Sequence, residues 1–346
     1  MQTMSIKKML VLIAVLIAAT VLFTACAGPA GEQGPAGPAG PAGPAGPAGP
    51  AGEAAAFDPT SLTCTECHND TALITSKKAN WQESLHGQGV AFIEEGGRNT
   101  CAFCHSGAKF SESVAAGVTF DKVETGDANP THQDCRTCHQ IHTTYTKADF
   151  ALETDAPVTQ VISGLTFDGG QGNLCANCHQ ARRYMANFVD KTDATKFTST
   201  SSRFNPHLSV QGDILLGSGG EGVEGKPGAH YSMVEDTCVG CHMGEFRNHA
   251  MEPQLATCQK CHADAESYDI NGTQTFVEEE MARLKAALQA KGLVDENGAV
   301  IPGTWDEATA TALWNYGVIE EDATRGVHNP TYVKALLEAA FAALGE

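Results

Sequence analysis

Six copies of the motif Cys-x-x-Cys-His lie between residues 64 and 262 of this 346-residue chain, and they constrain its fold more than any other feature. Chance predicts roughly 0.02 such motifs in a chain of this composition. Two thiols separated by two residues can add to the two vinyl groups of one haem, and the histidine that follows then reaches the iron. The sequence therefore predicts six covalently bound haem c groups, whose porphyrins form much of the interior. We number the motifs, and the sites they would form, 1 to 6 in chain order: Cys64, Cys67 and His68; Cys101, Cys104 and His105; Cys135, Cys138 and His139; Cys175, Cys178 and His179; Cys238, Cys241 and His242; and Cys258, Cys261 and His262.

Other uses of cysteine explain this pattern less well. Paired Cys-x-x-Cys segments could form zinc sites with four thiolates, but such sites do not require a histidine after every second cysteine. Thioredoxin-like dithiol centres occur singly within a βαβ unit, which this sequence does not predict. A disulfide framework is disfavoured because thirteen is an odd number of cysteines, and chains so rich in disulfides are usually much shorter.

Seven histidines lie outside the motifs, whereas six irons need at most six distal ligands. His132, three residues before Cys135, is a candidate ligand and also the expected spare. An iron with two axial histidines has no open position for a substrate, so this supply of histidines favours electron transfer over catalysis. The six expected distal ligands are His86, His142, His207, His230, His249 and His328.

Residues 1–25 are typical of a lipoprotein signal. Lys7 and Lys8 precede an apolar run that ends at Leu22 and is short for a membrane span. The run continues into Phe-Thr-Ala-Cys26, which is similar to a bacterial lipobox, so we expect Cys26 to be the lipidated N-terminus of the mature protein. The alternative is an ordinary signal peptide in which Cys26 is incidental. With lipidation, the protein is exported and anchored at the outer membrane, the outer face of the cytoplasmic membrane or the cell surface.

Residues 26–56 follow as a spacer. Glycine occupies every third position from Gly28 to Gly52, mostly in Gly-Pro-Ala triplets, which is a collagen-like repeat. A single-chain stiff tether of this length would reach on the order of 75 Å at about 3.1 Å per residue. The alternative is a trimerising stalk. Both arrangements hold the following domain away from the lipid.

The remaining sequence predicts a mainly α fold with extensive irregular loops and little β-sheet. A haem-packed cytochrome domain is expected at residues 57–270, followed by a helical region at 271–346. In this region we expect one helix capped by Thr275 and ended by Gly292, and a second starting at Thr304. A third helix is expected to start at Asn329–Pro330.

The net charge of the chain indicates which kinds of partner it can bind. The chain has 22 Lys and Arg against 41 Asp and Glu, a formal charge of −19. Nucleic-acid binding depends on clustered basic residues, so this balance argues against a nucleic-acid partner. An acidic surface instead attracts basic proteins or metal cations.

Several segments resemble a known superfamily of multihaem cytochromes. It includes the cytochrome c nitrite reductases, hydroxylamine oxidoreductases, octahaem tetrathionate reductases and cytochrome c554. The run from Cys238 to Met243, then His249 and motif 6, resembles their late haem region, and the segments Trp81–His86 and Pro206–Asp213 resemble their distal-ligand segments. Gly326-Val-His328-Asn-Pro330 resembles the start of their last helix, which implies distal ligation by His328. The resemblance also implies that the C-terminal helices can form a dimer interface.

The departures from this superfamily favour a carrier over an enzyme. The catalytic Cys-x-x-Cys-Lys motif of the nitrite reductases is absent from the sequence. The lipid anchor and Gly-rich repeat resemble those of surface cytochromes of metal-reducing bacteria. We therefore expect an anchored hexahaem cytochrome that relays electrons from a quinol-linked donor to a downstream cytochrome or extracellular acceptor. The alternatives are a terminal reductase of a nitrogen or sulfur compound with one five-coordinate haem, and a subunit of a stacked filament. A homodimer or homotrimer is also open.

Overall fold

The computed structural model describes residues 72–244 and 247–346. The predicted signal, the lipidation site at Cys26 and the collagen-like spacer lie outside these described residues. Motif 1 also lies outside them, so haem attachment at Cys64 and Cys67 and iron ligation by His68 stay predictions from the sequence. In the described residues the chain is mainly helical, with irregular loops and two small antiparallel sheets, which confirms the predicted fold class.

Short helices dominate the haem-motif region, because its chain turns repeatedly to present cysteines and histidines. Eleven α-helices precede residue 270 in the described range: α1 Ala72–Glu83, α2 Leu85–Gln88, α3 Ala91–Glu95, α4 Ala102–His105, α5 Gly107–Ala115, α6 Cys135–Cys138, α7 Asn173–Ala176, α8 Gln211–Leu216, α9 Ala229–Met233, α10 Cys238–His242 and α11 Leu255–Cys258. Single turns of 3-10 helix lie at Asn99–Cys101, Phe120–Lys122, Lys147–Phe150, Gly170–Gly172, Met185–Phe188 and Ile270–Gly272.

Three longer helices follow: α12 Thr273–Ala290, α13 Glu307–Asp322 and α14 Pro330–Leu344. Strand β1 (Val158–Thr159) pairs with β2 (Thr166–Phe167), with Val158 opposite Phe167. Strand β3 (Lys196–Ser199) pairs with β4 (Gly303–Asp306), with Phe197 opposite Trp305. The second sheet joins the haem-motif region directly to the entry of α13.

The predicted helix starts were only partly right. The third was confirmed: Asn329 caps α14 by accepting a hydrogen bond from the Tyr332 N–H, and Pro330 is the first helical residue. The second was wrong, because Thr304 belongs to β4 and the cap of α13 is Asp306, which accepts from the Thr309 N–H. The first was also wrong, because Thr275 lies inside α12, where Asp269 accepts from its N–H.

The main apolar core lies around the C-terminal helices. Trp314, Leu313, Leu336 and Leu284 are each fully buried there. The same cluster contains Phe204 and other residues from the haem-motif region, so the C-terminal helices pack against that region. Smaller apolar clusters lie beside motifs 2, 4 and 5.

Side chains of these helices also hold the loop that leads to His230. The Trp314 indole donates to the Gly219 carbonyl at 2.8 Å, and the Tyr332 hydroxyl accepts from the Gly220 N–H at 3.0 Å. Asn329 donates to the carbonyls of Ile214 and Lys226 at 3.1 Å and 2.9 Å. The C-terminal helices therefore fix two histidine-bearing segments, since His328 directly precedes this asparagine.

Among the described residues, the helices are all too short or too polar to cross a membrane.

Candidate haem-ligand pairs

Each described motif forms a helical turn, and the turn explains why the spacing suits a haem. The N–H of His139 donates to the Cys135 carbonyl at 2.9 Å, and the corresponding bonds in motifs 4 and 6 are 2.9 Å and 2.8 Å. Residues i, i+3 and i+4 of such a turn share one face. Both thiols and the imidazole of a motif therefore project to the same side of the chain.

Each of these motif histidines faces one histidine from elsewhere in the chain. The distances between ring centroids fall between 6.1 and 6.3 Å in all five cases. The pairs, from site 2 to site 6, are His105–His207, His139–His249, His179–His86, His242–His328 and His262–His230.

This spacing fits one metal ion between two imidazoles. Two metal–nitrogen bonds of about 2.0 Å hold the ligating nitrogens about 4 Å apart, and each ring centre lies roughly 1 Å further out. The expected separation of about 6 Å agrees with all five pairs. Aromatic rings in edge-to-face contact can have the same centroid separation, as Trp81 and His132 do at 6.2 Å, so the repetition of one spacing at all five described motif histidines is what distinguishes the ligand pairs. The residues present therefore fit five irons with two axial histidines each.

The other ring nitrogen, Nδ1, is held by a hydrogen bond in most of these ligands. Backbone carbonyls accept from His139, His230, His242 and His249, at 2.6 to 2.9 Å. The side chains of Gln211, Met251 and Asp322 lie against Nδ1 of His179, His86 and His328 respectively, at 3.1, 2.8 and 2.6 Å. Such contacts fix the tautomer and leave Nε2 free for a metal, as is usual for metal-binding histidines.

Burial favours the neutral form that iron requires. It is the largest cause of a lowered pKa at His86 and His207, which each reach about 4, with the charges of His179 and Arg182 adding to the effect. Burial also lowers the pKa of His105, His179, His242 and His249. A neutral imidazole at ordinary pH keeps its lone pair available for a metal.

His328 is the exception. Burial lowers its pKa, but the charge of Asp322 and the hydrogen bond to it outweigh burial, so the pKa is raised above its ordinary value. Asp322 is itself 2% exposed. A buried carboxylate therefore lies directly behind one distal histidine.

The two remaining distal candidates lie elsewhere. His132 lies between Phe92, at 4.1 Å, and Trp81, at 6.2 Å, and its buried Nδ1 lacks a hydrogen-bond partner among the described residues. His142 stacks on Tyr145 with ring centroids 5.5 Å apart. Neither faces one of the five described motif histidines.

Contacts between cysteines indicate which sites are neighbours. The Cys104 side chain lies close to that of Cys178, and the Cys175 side chain lies close to that of Cys238. Cys138 also lies near both cysteines of motif 4, and Cys258 and Cys261 lie near Cys241. Site 4 therefore lies beside sites 2, 3 and 5, and site 5 also lies beside site 6.

One short segment contacts three sites at once. Met251 accepts from His242 through its carbonyl, and its sulfur lies 2.8 Å from His86 Nδ1. His249, a ligand candidate at site 3, donates to the Arg247 carbonyl at 2.7 Å. Sequence reasoning did not single out Met251 or Asp322, because nothing in the local pattern distinguishes them from other methionines and acids.

Comparison with solved structures shows the fold. The chain is similar to the outer cell wall cytochrome OcwA, with 22% identity over 78% of this chain and a TM-score of 0.50. It spans 50% of the length of OcwA. An undecahaem cytochrome from the S-layer of Carboxydothermus ferrireducens aligns over 76% of this chain, with 18% identity and a TM-score of 0.46. Neither the known protein families nor the curated protein sequences match the chain. The likeness to OcwA gives this chain the fold of a multihaem cytochrome over most of its length.

Proposed function

We propose that this protein is an exported multihaem c-type cytochrome that relays electrons through six haems, each with two axial histidines. The observation that carries the proposal is the set of five histidine pairs at one common spacing of 6.1 to 6.3 Å. Random surface histidines would not match every described motif with one partner at the same distance.

The sixth haem would be attached to Cys64 and Cys67, with His68 as its proximal ligand. Its distal ligand follows by assignment, because five of the seven candidates face described motifs and His132 is enclosed by two aromatic side chains. His142 then remains for His68. The His142 backbone is in the left-handed region, with φ 67°, and its N–H donates to an Asp149 carboxylate oxygen at 2.8 Å. This bond fixes the turn that presents the imidazole.

A relay needs haems that are close together. When bound, the haems supply one-electron iron couples. The cysteine contacts make sites 2, 4 and 5 neighbours, and the segment Arg247–Met251 links ligands of sites 3, 4 and 5.

Spectroscopy of the purified holoprotein tests this function. We expect six haems per chain by the pyridine haemochrome assay and only low-spin signals by electron paramagnetic resonance. Addition of nitrite, hydroxylamine or tetrathionate should leave the spectrum unchanged. A high-spin haem that responds to one of these compounds would overturn the relay and support the terminal reductase instead.

The location and assembly are proposed from the sequence. Cys26 would carry the lipid anchor, and the name of OcwA, an outer cell wall cytochrome, is in keeping with export. The donor would be quinol-linked, and the acceptor a further cytochrome or an extracellular compound. Replacement of Cys26 by serine should move the protein from the detergent phase to the aqueous phase. Sedimentation before and after deletion of Gly28–Gly52 distinguishes a trimerising stalk from a single-chain tether.

A further inference from the structure

Asp322 is placed to act on one haem site through its distal ligand. It is the last residue of α13, and its Oδ1 accepts a hydrogen bond from His328 Nδ1 at 2.6 Å. The Thr324 hydroxyl donates to the other carboxylate oxygen. The side chains of Asp322 and His328 are 1% and 15% exposed, so water screens this contact little.

This acceptor differs from those at the other ligands. Among the described histidine pairs, the Nδ1 contacts elsewhere are to neutral groups: the carbonyls of Phe150, Arg247, Val327 and Met251, the Gln211 amide, the Met251 sulfur and the Ser209 hydroxyl. In these described pairs, the Nδ1 contact of His328 is the one made to a carboxylate. Hydrogen bonds to a charged acceptor are shorter and roughly twice as strong as bonds between neutral groups.

The position of Asp322 is unfavourable for the helix alone. A helix C-terminus carries partial negative charge, and an acid there is destabilising. Arg325, three residues further on, pairs with Glu278 at 2.7 Å rather than with Asp322. The carboxylate is instead paired with His328 at 2.6 Å, since buried charges are costly unless they are paired, so its charge lies directly behind the group that His328 would bind.

We propose that Asp322 lowers the reduction potential of site 5 below that of the other four described sites. The proposal rests on the proposed function, because it requires a haem bound between His242 and His328. A carboxylate that holds the Nδ1 proton increases electron donation from the imidazole, and its negative charge also favours the ferric state. Each redox step moves one electron between site 5 and a neighbouring reduced or oxidised site. The Nδ1 proton stays on His328, and no covalent bond changes.

The charges around site 2 act in the opposite direction. Arg182, Arg183 and Arg203 exert positive charge on His207, and at His105 the positive charge of Arg182 is opposed by Glu95. Positive charge favours the ferrous state. Site 4 lies between sites 2 and 5, because its two cysteines contact one cysteine of each. Site 5, beside the Asp322 carboxylate, is therefore expected to have a lower potential than site 2, beside the arginines.

A spectroelectrochemical titration of the full-length holoprotein tests the role of Asp322. In the Asp322→Asn variant, we expect one low-potential step, that of site 5, to move upwards, with at least a tenfold change in its ferric–ferrous equilibrium. For a one-electron couple, tenfold corresponds to about 59 mV. The matched control is Glu320→Gln, which removes an exposed acid from the same helix end and should leave every step in place.

A second variant keeps the proposal testable if the Asp322→Asn protein loses its site-5 haem. Thr324→Ala keeps the Asp322 carboxylate but removes the hydroxyl that donates a hydrogen bond to it. The carboxylate should then bond to His328 more strongly, so the step that moves upwards in Asp322→Asn should move further down here. A merely structural role for Asp322 would not produce shifts of opposite sign in the two variants. If every titration step stayed unchanged in both variants, the proposal would be overturned. Six low-spin haems in the unmodified protein would still support the relay, so the two failures are distinguishable.

Discussion

Replacement of His230 by alanine should convert one haem in six from low-spin to high-spin. The His230 imidazole faces His262 at a centroid distance of 6.3 Å, and its Nδ1 donates to the Val327 carbonyl at 2.6 Å. The variant keeps His262 and both cysteines of motif 6, so the haem remains attached with one open position. With six motifs in the chain, one sixth of the low-spin signal should be lost. Loss of the Val327 bond should cost about 1 kcal/mol, which is small beside the roughly 5–15 kcal/mol stability of a domain.

The assay is electron paramagnetic resonance of the purified oxidised protein, with haem content measured in parallel. Added imidazole should bind the open position and restore the low-spin signal. His132→Ala is the matched control, because His132 faces Trp81 and Phe92 and none of the described motif histidines. It should retain six low-spin haems. A fully low-spin His230→Ala protein with six haems, or a high-spin haem in His132→Ala, would refute the assignment of distal ligands from ring spacing.

Three further predictions concern stability and coupling between sites. Asn329→Ala should lower the free energy of unfolding by about 3 kcal/mol, because it removes a helix cap and two hydrogen bonds to carbonyls. Denaturant unfolding measures this loss, and Asn297→Ala, at an exposed asparagine, is the control. Burial raises the pKa of Asp213 above 3.8, so its contribution to stability is full below pH 3.8 and is lost as the pH rises through its folded-state pKa. Asp213→Asn should therefore remove that decline from a pH series of unfolding curves, and an unchanged pH dependence would contradict the argument. Met251→Leu removes the sulfur beside His86 but keeps the carbonyl that accepts from His242. A redox titration should therefore show a raised potential at site 4 alone. The control is Met233→Leu, at a side chain that is 74% exposed, which should leave all potentials unchanged.

The sequence predicted a helix start correctly where the capping interactions lie within a few residues of each other. The Asn329–Pro330 start of α14 was readable because a cap and a first-turn proline act within a few residues. The start of α13 was not, because Thr304 pairs with Thr198 in the β3–β4 sheet and a partner over a hundred residues away overrides its capping tendency. The predicted cap at Thr275 was wrong because Asp269, in the preceding turn, accepts hydrogen bonds from both the Thr275 N–H and its hydroxyl.

The distal ligands could be predicted from the sequence only in part. The spare histidines could be counted, but their pairing could not be read, since each partner is far away in sequence. His86 lies ahead of motif 2 and yet faces His179 of motif 4, while His207 lies after motif 4 and faces His105 of motif 2. His132, three residues from a motif, faces two aromatic rings instead. Proximity along the chain therefore did not predict which histidines face the motif histidines.

The sequence by itself determined the cofactor chemistry, because thioether attachment and proximal ligation need only five consecutive residues in one helical turn. It also determined that enough histidines exist for six irons with two axial ligands. Only the tertiary structure decided which histidine faces which motif, which sites are neighbours and which described ligand has a carboxylate behind it. Those features depend on distances between segments that the fold brings together, and Asp322 and Met251 acquire their roles from such contacts alone.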